Sequence, residues 1–221
     1  MRQPPLMQNG GLRDMLKITE IFKSIQGEGP YTGWPAIFIR LADCNMEPKC
    51  HFCDTDFSVK REMTEIQIAQ VVRTLMEETH VQANGNPAPI IVISGGEPFN
   101  QDIRGLILEL SFLSSIIQIE TNGSIVPDHF SSYWGMVDIV ISPKGLPVDD
   151  FMKKRAKAVK FVVREGTIPC KKWPVNTLKY VQPMDEKDPV KNKANLEWAV
   201  KLCVEQGYKL SVQLHKMIGV L

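Results

Sequence analysis

The sequence predicts an α/β fold, an incomplete, TIM-like parallel barrel of about six βα units, open on one side. Three observations carry this. Short apolar runs alternate with amphipathic stretches along the 221 residues, and that alternation implies a parallel sheet with right-handed crossovers. Most runs are continuously apolar, as when both faces of a sheet are covered. Polar punctuation follows one predicted strand after another, and parallel α/β barrels build their sites at the carboxyl ends of strands.

The strand candidates are Lys17–Ser24, Ala36–Leu41, Ile90–Ile93, Ile116–Ile119, Val137–Ile141, Ala158–Val163, Leu178–Val181 and Lys209–Gln213. A helix begins near Thr64, where Thr64 and Gln67 form a capping box, and Ile68, Val71, Val72, Leu75 and Met76 repeat at helical spacing. Gln101 to Leu113 is a second helix. A third runs from about Lys193 to Gln206, with Leu196, Ala199, Val200 and Cys203 inward and Gly207 as its stop. The polar stretch from Met1 to Asp14 contains Pro4, Pro5 and Gly10-Gly11. Residues 1–15 read as a flexible leader ahead of one domain.

Twenty-six basic and 25 acidic residues leave a net charge of +1, so no nucleic-acid partner is expected. Lys153-Lys154-Arg155 and Lys171-Lys172 read as solvated faces. No apolar run approaches the roughly 20 residues of a membrane helix, and a cytoplasmic location is the default expectation. Three of five cysteines, Cys44, Cys50 and Cys53, fall within ten residues. In a chain of this size without a secretory signal, that clustering points to metal rather than disulfides. Cys203 reads as a small core residue and Cys170 receives no role. Spacing leaves two metals open. His51 could complete a zinc site, or three thiolates could hold a four-iron cluster with one iron open to a further ligand. The Ser94-Gly-Gly-Glu-Pro98 segment follows a buried strand, and its glycines let backbone approach a ligand closely.

Three cysteines followed by Asp54-Thr55, the Gly-Gly-Glu-Pro segment and Glu120-Thr-Asn-Gly123 resemble the radical S-adenosylmethionine enzymes. Phe22-Lys-Ser-Ile-Gln-Gly-Glu-Gly29, Ala36-Ile-Phe-Ile-Arg-Leu41, Ser142-Pro-Lys144, Val181-Gln-Pro183 and Gln213-Leu-His-Lys216 are similar, more narrowly, to the 7-carboxy-7-deazaguanine synthase family. The likeness runs from about Ile18 to the C-terminus. One departure is the spacing of the first two cysteines. Five residues, Asn45 to Lys49, stand where the family usually has three.

The resemblance implies that Cys44, Cys50 and Cys53 bind a [4Fe–4S] cluster whose open iron chelates S-adenosylmethionine. Reduction then gives methionine and a 5′-deoxyadenosyl radical. Phe52, Cys53 and Asp54 would lie by the adenosine, and Gly95, Gly96 and Glu97 would receive the methionine ammonium. Ser142, Pro143, Lys144, Gln182, Pro183, Met184 and Asp185 would contact the sugar and carboxylate, with Thr121 and Asn122 adding to the pocket. The implied substrate is 6-carboxy-5,6,7,8-tetrahydropterin. Ile25, Gln26, Gly27 and Glu28 would meet the pterin edge, and Arg40 its carboxylate. Ser94, His215 and the terminal carboxylate of Leu221 would complete that site, and Thr55 would bind Mg²⁺. Partners implied are an electron donor such as flavodoxin and a second copy of the chain covering an open sheet edge. A glycyl-radical activase of the same superfamily explains the cysteines but not the Gln-Gly-Glu-Gly29 or Gln-Leu-His-Lys216 segments. A zinc-binding interaction module is the reading from another class.

Overall fold

Nine strands of the computed structural model join in one sheet. They are β1 (Leu16–Ile25), β2 (Pro35–Leu41), β3 (Arg61–Met63), β4 (Ile90–Gly95), β5 (Ile117–Thr121), β6 (Asp138–Ile141), β7 (Ala156–Val163), β8 (Leu178–Pro183) and β9 (Lys209–Leu210). The structure describes residues 15–53, 55–78, 88–114 and 116–220. The predicted leader through Asp14, together with Asp54 and Leu221, lies outside the described residues. The strand order is β3-β1-β2-β4-β5-β6-β7-β8-β9. From β2 to β9 all neighbours are parallel, while β1 runs antiparallel to both β2 and β3. This mostly parallel sheet is compatible with a partial barrel, with seven parallel strands where about six units were expected.

Within the apolar strands there is a two-residue logic. Ile37, Ile39 and Leu41 of β2, Ile91 and Ile93 of β4, and Ile117, Ile119, Ile139 and Ile141 of β5 and β6 form one buried cluster. Helices α1 (Glu65–Glu77) and α2 (Arg104–Ser111) cover them with Ile68, Val72, Leu106, Ile107 and Leu110. Val159, Phe161, Val163 and Val181 pack likewise against Ala199 and Leu202 of α4 (Pro189–Gln206). Side chains alternate across a strand, so the intervening positions, Arg40, Ser94, Glu120, Ser142, Lys160 and Gln182, turn to the other face. Near the amino ends of the parallel strands that inner face is closed by two apolar groups, Tyr31, Ala36, Ile90 and Val92, and Val140, Ala158 and Tyr180. Lys157 Nζ donates to Tyr31 Oη and Asp138 Oδ2, both at 2.7 Å, at the same end.

Several local expectations hold. Thr64 and Gln67 exchange both capping-box bonds. Gly207 ends α4 in the left-handed conformation, φ 74°. Others need correction. Helix α4 starts at Pro189, capped by Asp188, rather than near Lys193. Its inward face is Asn195, Ala199 and Leu202, while Leu196 and Val200 are 39% and 42% exposed. The reason is polar. Asn195 accepts from Glu165 N at 2.9 Å and donates to Met184 O at 3.0 Å, which rotates the helix toward the ends of β7 and β8. Cys203 does pack on the core. The predicted last strand shortens to Lys209–Leu210, and Leu214–Ile218 forms a short helix, α5. β3 and the short helix α3 (Asp150–Arg155) were not anticipated. Among the described residues, the crossovers from β5 to β6 and from β7 to β8 contain no α-helix.

Candidate active site

A cavity of about 200 Å³ opens at the carboxyl ends of the parallel strands. One wall is the loop that leaves β2. Cys44, Cys50 and Cys53 all line the cavity and are half-buried. Burial pushes the Cys44 thiol above its ordinary value. The loop is fastened to β4 through backbone: Gly96 N donates to Leu41 O and Glu97 N to Asp43 O, each at 3.0 Å. A Cβ at Gly95 would lie 2.2 Å from Leu41 O, and one at Gly96 1.7 Å from Asp43 O. The two glycines therefore serve the close approach of the cysteine loop, a role their reading as ligand-facing backbone had missed. Gly95 (φ 112°) and Gly96 still line the cavity.

The extra length between Cys44 and Cys50 is anchored at its first residue. Asn45 Oδ1 accepts from Asn122 Nδ2 at 2.8 Å, and Asn45 Nδ2 donates to Ser124 Oγ at 2.9 Å. Met46 and Lys49 from this segment reach the cavity, with Lys49 Nζ 4.2 Å from the Phe57 ring centroid. His51 is exposed, packs edge-on against Phe52 and does not line the cavity. Among the described residues no three His, Cys, Asp or Glu side chains converge on a single ion. Three soft thiols on one mouth, with no fourth protein ligand beside them among the described residues, fit a cluster larger than one ion with an open coordination position.

Other expected cofactor contacts share the cavity with the thiols. Phe52, Thr55, Thr121, Asn122, Ser142, Lys144, Gln182, Pro183 and Asp185 line the cavity. Lys144 Nζ sits 4.8 Å from the Phe52 ring centroid. Ser142 Oγ is buried and has no hydrogen-bond partner among the described residues, and an orphaned hydroxyl at a cavity wall suits a polar ligand. Glu97 is different. Its side chain is fully buried and does not line the cavity. Its carboxylate accepts from Thr121 Oγ1 at 2.6 Å, Asn122 N at 2.8 Å and Phe99 N at 3.3 Å. Burial raises its pKa, opposed by those bonds. Glu97 thus ties the end of β4 to the end of β5 instead of offering itself to an ammonium. Pro143 and Met184 also fall outside the lining; Met184 N is bonded to Val163 O at 2.8 Å.

The opposite wall gathers around Glu28. Lys160 contacts Glu28 Oε2, while Gln182 and Gln213 donate to Oε1 at 3.1 and 2.9 Å. Burial draws the Lys160 ammonium down to about 7, and the carboxylate against it acts in the opposite direction. Gln26 is buried, donates to Glu120 Oε1 at 3.0 Å and orients Glu28 by accepting from its N–H. Gly27 lets the α5 segment close in. A Cβ there would lie 2.1 Å from His215 Nδ1, and Leu214 N donates to Gly27 O at 3.1 Å. Ile25 and Gly27 are not in the lining; Gln26, Glu28, Arg40, Ser94 and His215 are. Arg40 pairs with Glu20 at 2.6 Å and stacks 5.2 Å from the Phe22 ring centroid, so it holds an ion pair and still faces the cavity. Glu120, expected among the strand-end motifs, lines the wall, while sequence reasoning gave no site role to Lys160, Gln213, Phe22 and Phe38, which line it too. The available signal was a charge inside an otherwise apolar strand, as in Ala158-Val-Lys-Phe.

No family model matches the chain. Individual proteins do. A 7-carboxy-7-deazaguanine synthase of Rickettsia prowazekii is 36% identical over 216 residues, covering 93% of this chain and 88% of that one. One from Rhodospirillum rubrum is 28% identical over 99% of this chain and 98% of its own. The crystal structure of QueE from Escherichia coli superimposes with a TM-score of 0.66 at 24% identity, covering 91% of this chain and 95% of that one, and supports the fold. The chain belongs to the 7-carboxy-7-deazaguanine synthase family of radical S-adenosylmethionine lyases.

Proposed function

We propose that this chain converts 6-carboxy-5,6,7,8-tetrahydropterin to 7-carboxy-7-deazaguanine with loss of ammonia, in queuosine and 7-deazapurine biosynthesis. The observation that carries the reading is the shared cavity. Three thiols form one wall, and a carboxylate, a guanidinium and convergent amides form the others. Cys44, Cys50 and Cys53 hold a [4Fe–4S] cluster, which with bound S-adenosylmethionine supplies the carbon radical that starts the chemistry. The protein's part is to bind, orient and exclude side reactions.

Ser142, Lys144, Gln182 and the backbone at Gly95 and Gly96 hold the cofactor's polar groups. Phe52, with Lys144 against its face, offers an apolar surface beside the last cysteine. Arg40 binds the pterin carboxylate, to which a guanidinium can present two parallel donors. Gln26, Glu28 and His215 bind the heterocycle at the far side. Thr55 contributes one oxygen to Mg²⁺, an ion satisfied by few protein oxygens when substrate and water supply the rest. Asp54 and the Leu221 carboxylate keep the adenosine-side and pterin-side roles that the resemblance implies. A flavodoxin-like protein delivers the electron in the cytoplasm. The enzyme works as a homodimer, for which the support is the exposed row Leu196, Val200 and Val204 on α4. No helix among the described residues is long and apolar enough to cross a membrane.

The test is an anaerobic assay of reconstituted protein with the pterin, S-adenosylmethionine, Mg²⁺ and a reductant, read by absorbance and mass. The expected product is lighter by one ammonia and forms in excess over cofactor consumed. Cleavage of S-adenosylmethionine without that product would keep the radical machinery, remove the pterin and redirect the search to a protein substrate.

A further inference from the structure

Lys160 is a charged residue in a place that gives it almost no solvent. Its side chain is 6% exposed, in mid-strand on β7, between Val159 and Phe161, which face the outer core. An ammonium taken from water persists in such a position only when paired, and its partner is Glu28, 13% exposed. The bonding around that carboxylate is uneven. Oε1 accepts from both Gln182 and Gln213, whereas Oε2 accepts from Lys160. A carboxylate has about four lone-pair sites and an ammonium three donors. An acceptor and a donor in mutual contact, each with capacity beyond that contact, therefore stand side by side on a cavity wall that both residues line.

We propose that Glu28 Oε2 and Lys160 Nζ together read the lactam edge of the substrate, so that N3–H of the pterin donates to Oε2 and its O4 accepts from Nζ. This rests on the pterin reading above and adds Lys160 as the group that determines specificity at position 4. Only a ligand with a donor next to an acceptor matches the pair. A second carboxylate or a phosphate would meet the charge of Glu28. A 4-amino pteridine would present an unprotonated N3 to Oε2 and an N–H to the ammonium, which mismatches both. Three strands separate β2, which carries Arg40, from β7 in the sheet order. The carboxylate end and the lactam end of one flat molecule are thus held by different walls.

The experiment measures binding to reconstituted, S-adenosylmethionine-loaded protein by anaerobic calorimetry. The probes are 6-carboxytetrahydropterin and its 2,4-diamino analogue. Wild type should prefer the oxo compound. Lys160→Met should weaken oxo binding roughly 10- to 100-fold, as expected for a lost charged hydrogen bond, leave the diamino compound no weaker, and keep S-adenosylmethionine affinity. A Glu28→Gln/Lys160→Met variant removes both charges and leaves none buried alone, so it remains testable if the single variant misfolds; it too should lose the preference. Undiminished preference for the oxo compound in Lys160→Met would overturn the assignment of Lys160, and in the double variant that of Glu28 as well; a wild type that binds both compounds alike would overturn the lactam reading of the pair. Wild type that binds neither compound would overturn the substrate reading and this inference with it.

Discussion

The cysteine wall of the cavity is held from its exposed rim, by backbone, amides and a surface ion pair, and the Glu28 wall is held by a buried charge. From Cys44 to Lys60 no described residue is buried. That loop depends on two backbone bonds to β4, on the bonds of Asn45 to the Asn122 amide and the Ser124 hydroxyl, and on the half-exposed Lys60–Asp43 ion pair at 2.5 Å. Across the cavity, Gln26, Lys160, Gln182 and Ser211 are all buried, and Glu28 accepts from three side chains on different elements. Few buried contacts mean low local stability, so a group held by the thiols would add order to the first wall. The second is organised before any ligand arrives. An exposed loop suits insertion of a cluster, and a rigid polar wall suits discrimination among flat heterocycles.

Four substitutions separate the walls, in falling order of effect. Cys50→Ala removes one of three thiols and should abolish both cluster and turnover, read as iron per chain and product formed. Retained activity would remove the cluster from this loop. Gly96→Ala forces a methyl against Asp43 O, 1.7 Å from its ideal position. It should cost about 1–3 kcal/mol in urea unfolding and displace the cysteine wall. Unchanged stability would mean that the loop is not seated on β4. Asn45→Ala removes the amide clamp at a cost of about 1 kcal/mol, and should speed iron loss to a chelator more than it weakens pterin binding. Equal effects on both would erase the distinction between the walls.

The smallest effect concerns Asp185, beside the second wall. Lys216 at 2.9 Å, the Lys187 N–H and Asn192 hold its carboxyl at about 2, below the ordinary 3.8. A carboxyl depressed in the folded state stabilises it above the unfolded value, and that stability is lost as pH falls toward the folded one. Asp185→Asn should therefore be modestly less stable than wild type at neutral pH, with the gap closing between about pH 4 and pH 2. A gap constant through that range would remove the ion pair from the account.

Much of the site was legible because its residues are local in sequence. The cysteines, the glycine pair, Ser142-Pro-Lys144 and Gln26-Gly-Glu28 can each be read where they stand. What those segments touch was less legible. The glycines were read toward a ligand, and the structure seats them on Leu41 and Asp43. Glu97 was read toward the cavity and is turned into the protein by Thr121 and Asn122. The inward stripe of α4 was read from apolar spacing, and a buried asparagine rotated it.

By itself, the sequence determined the positions of the long strands from β1 to β8 apart from the short β3, the capping of α1, the stop of α4 and the clustering of three thiols. These follow from propensity, period and spacing within a few residues. Only the tertiary structure decided the partner of Lys160, 132 residues from Glu28, and the clamp between Asn45 and Asn122, 77 residues apart. Such pairs form when the parallel sheet curls its inner faces toward one another. A buried ammonium and a carboxylate then find each other because neither has water to turn to.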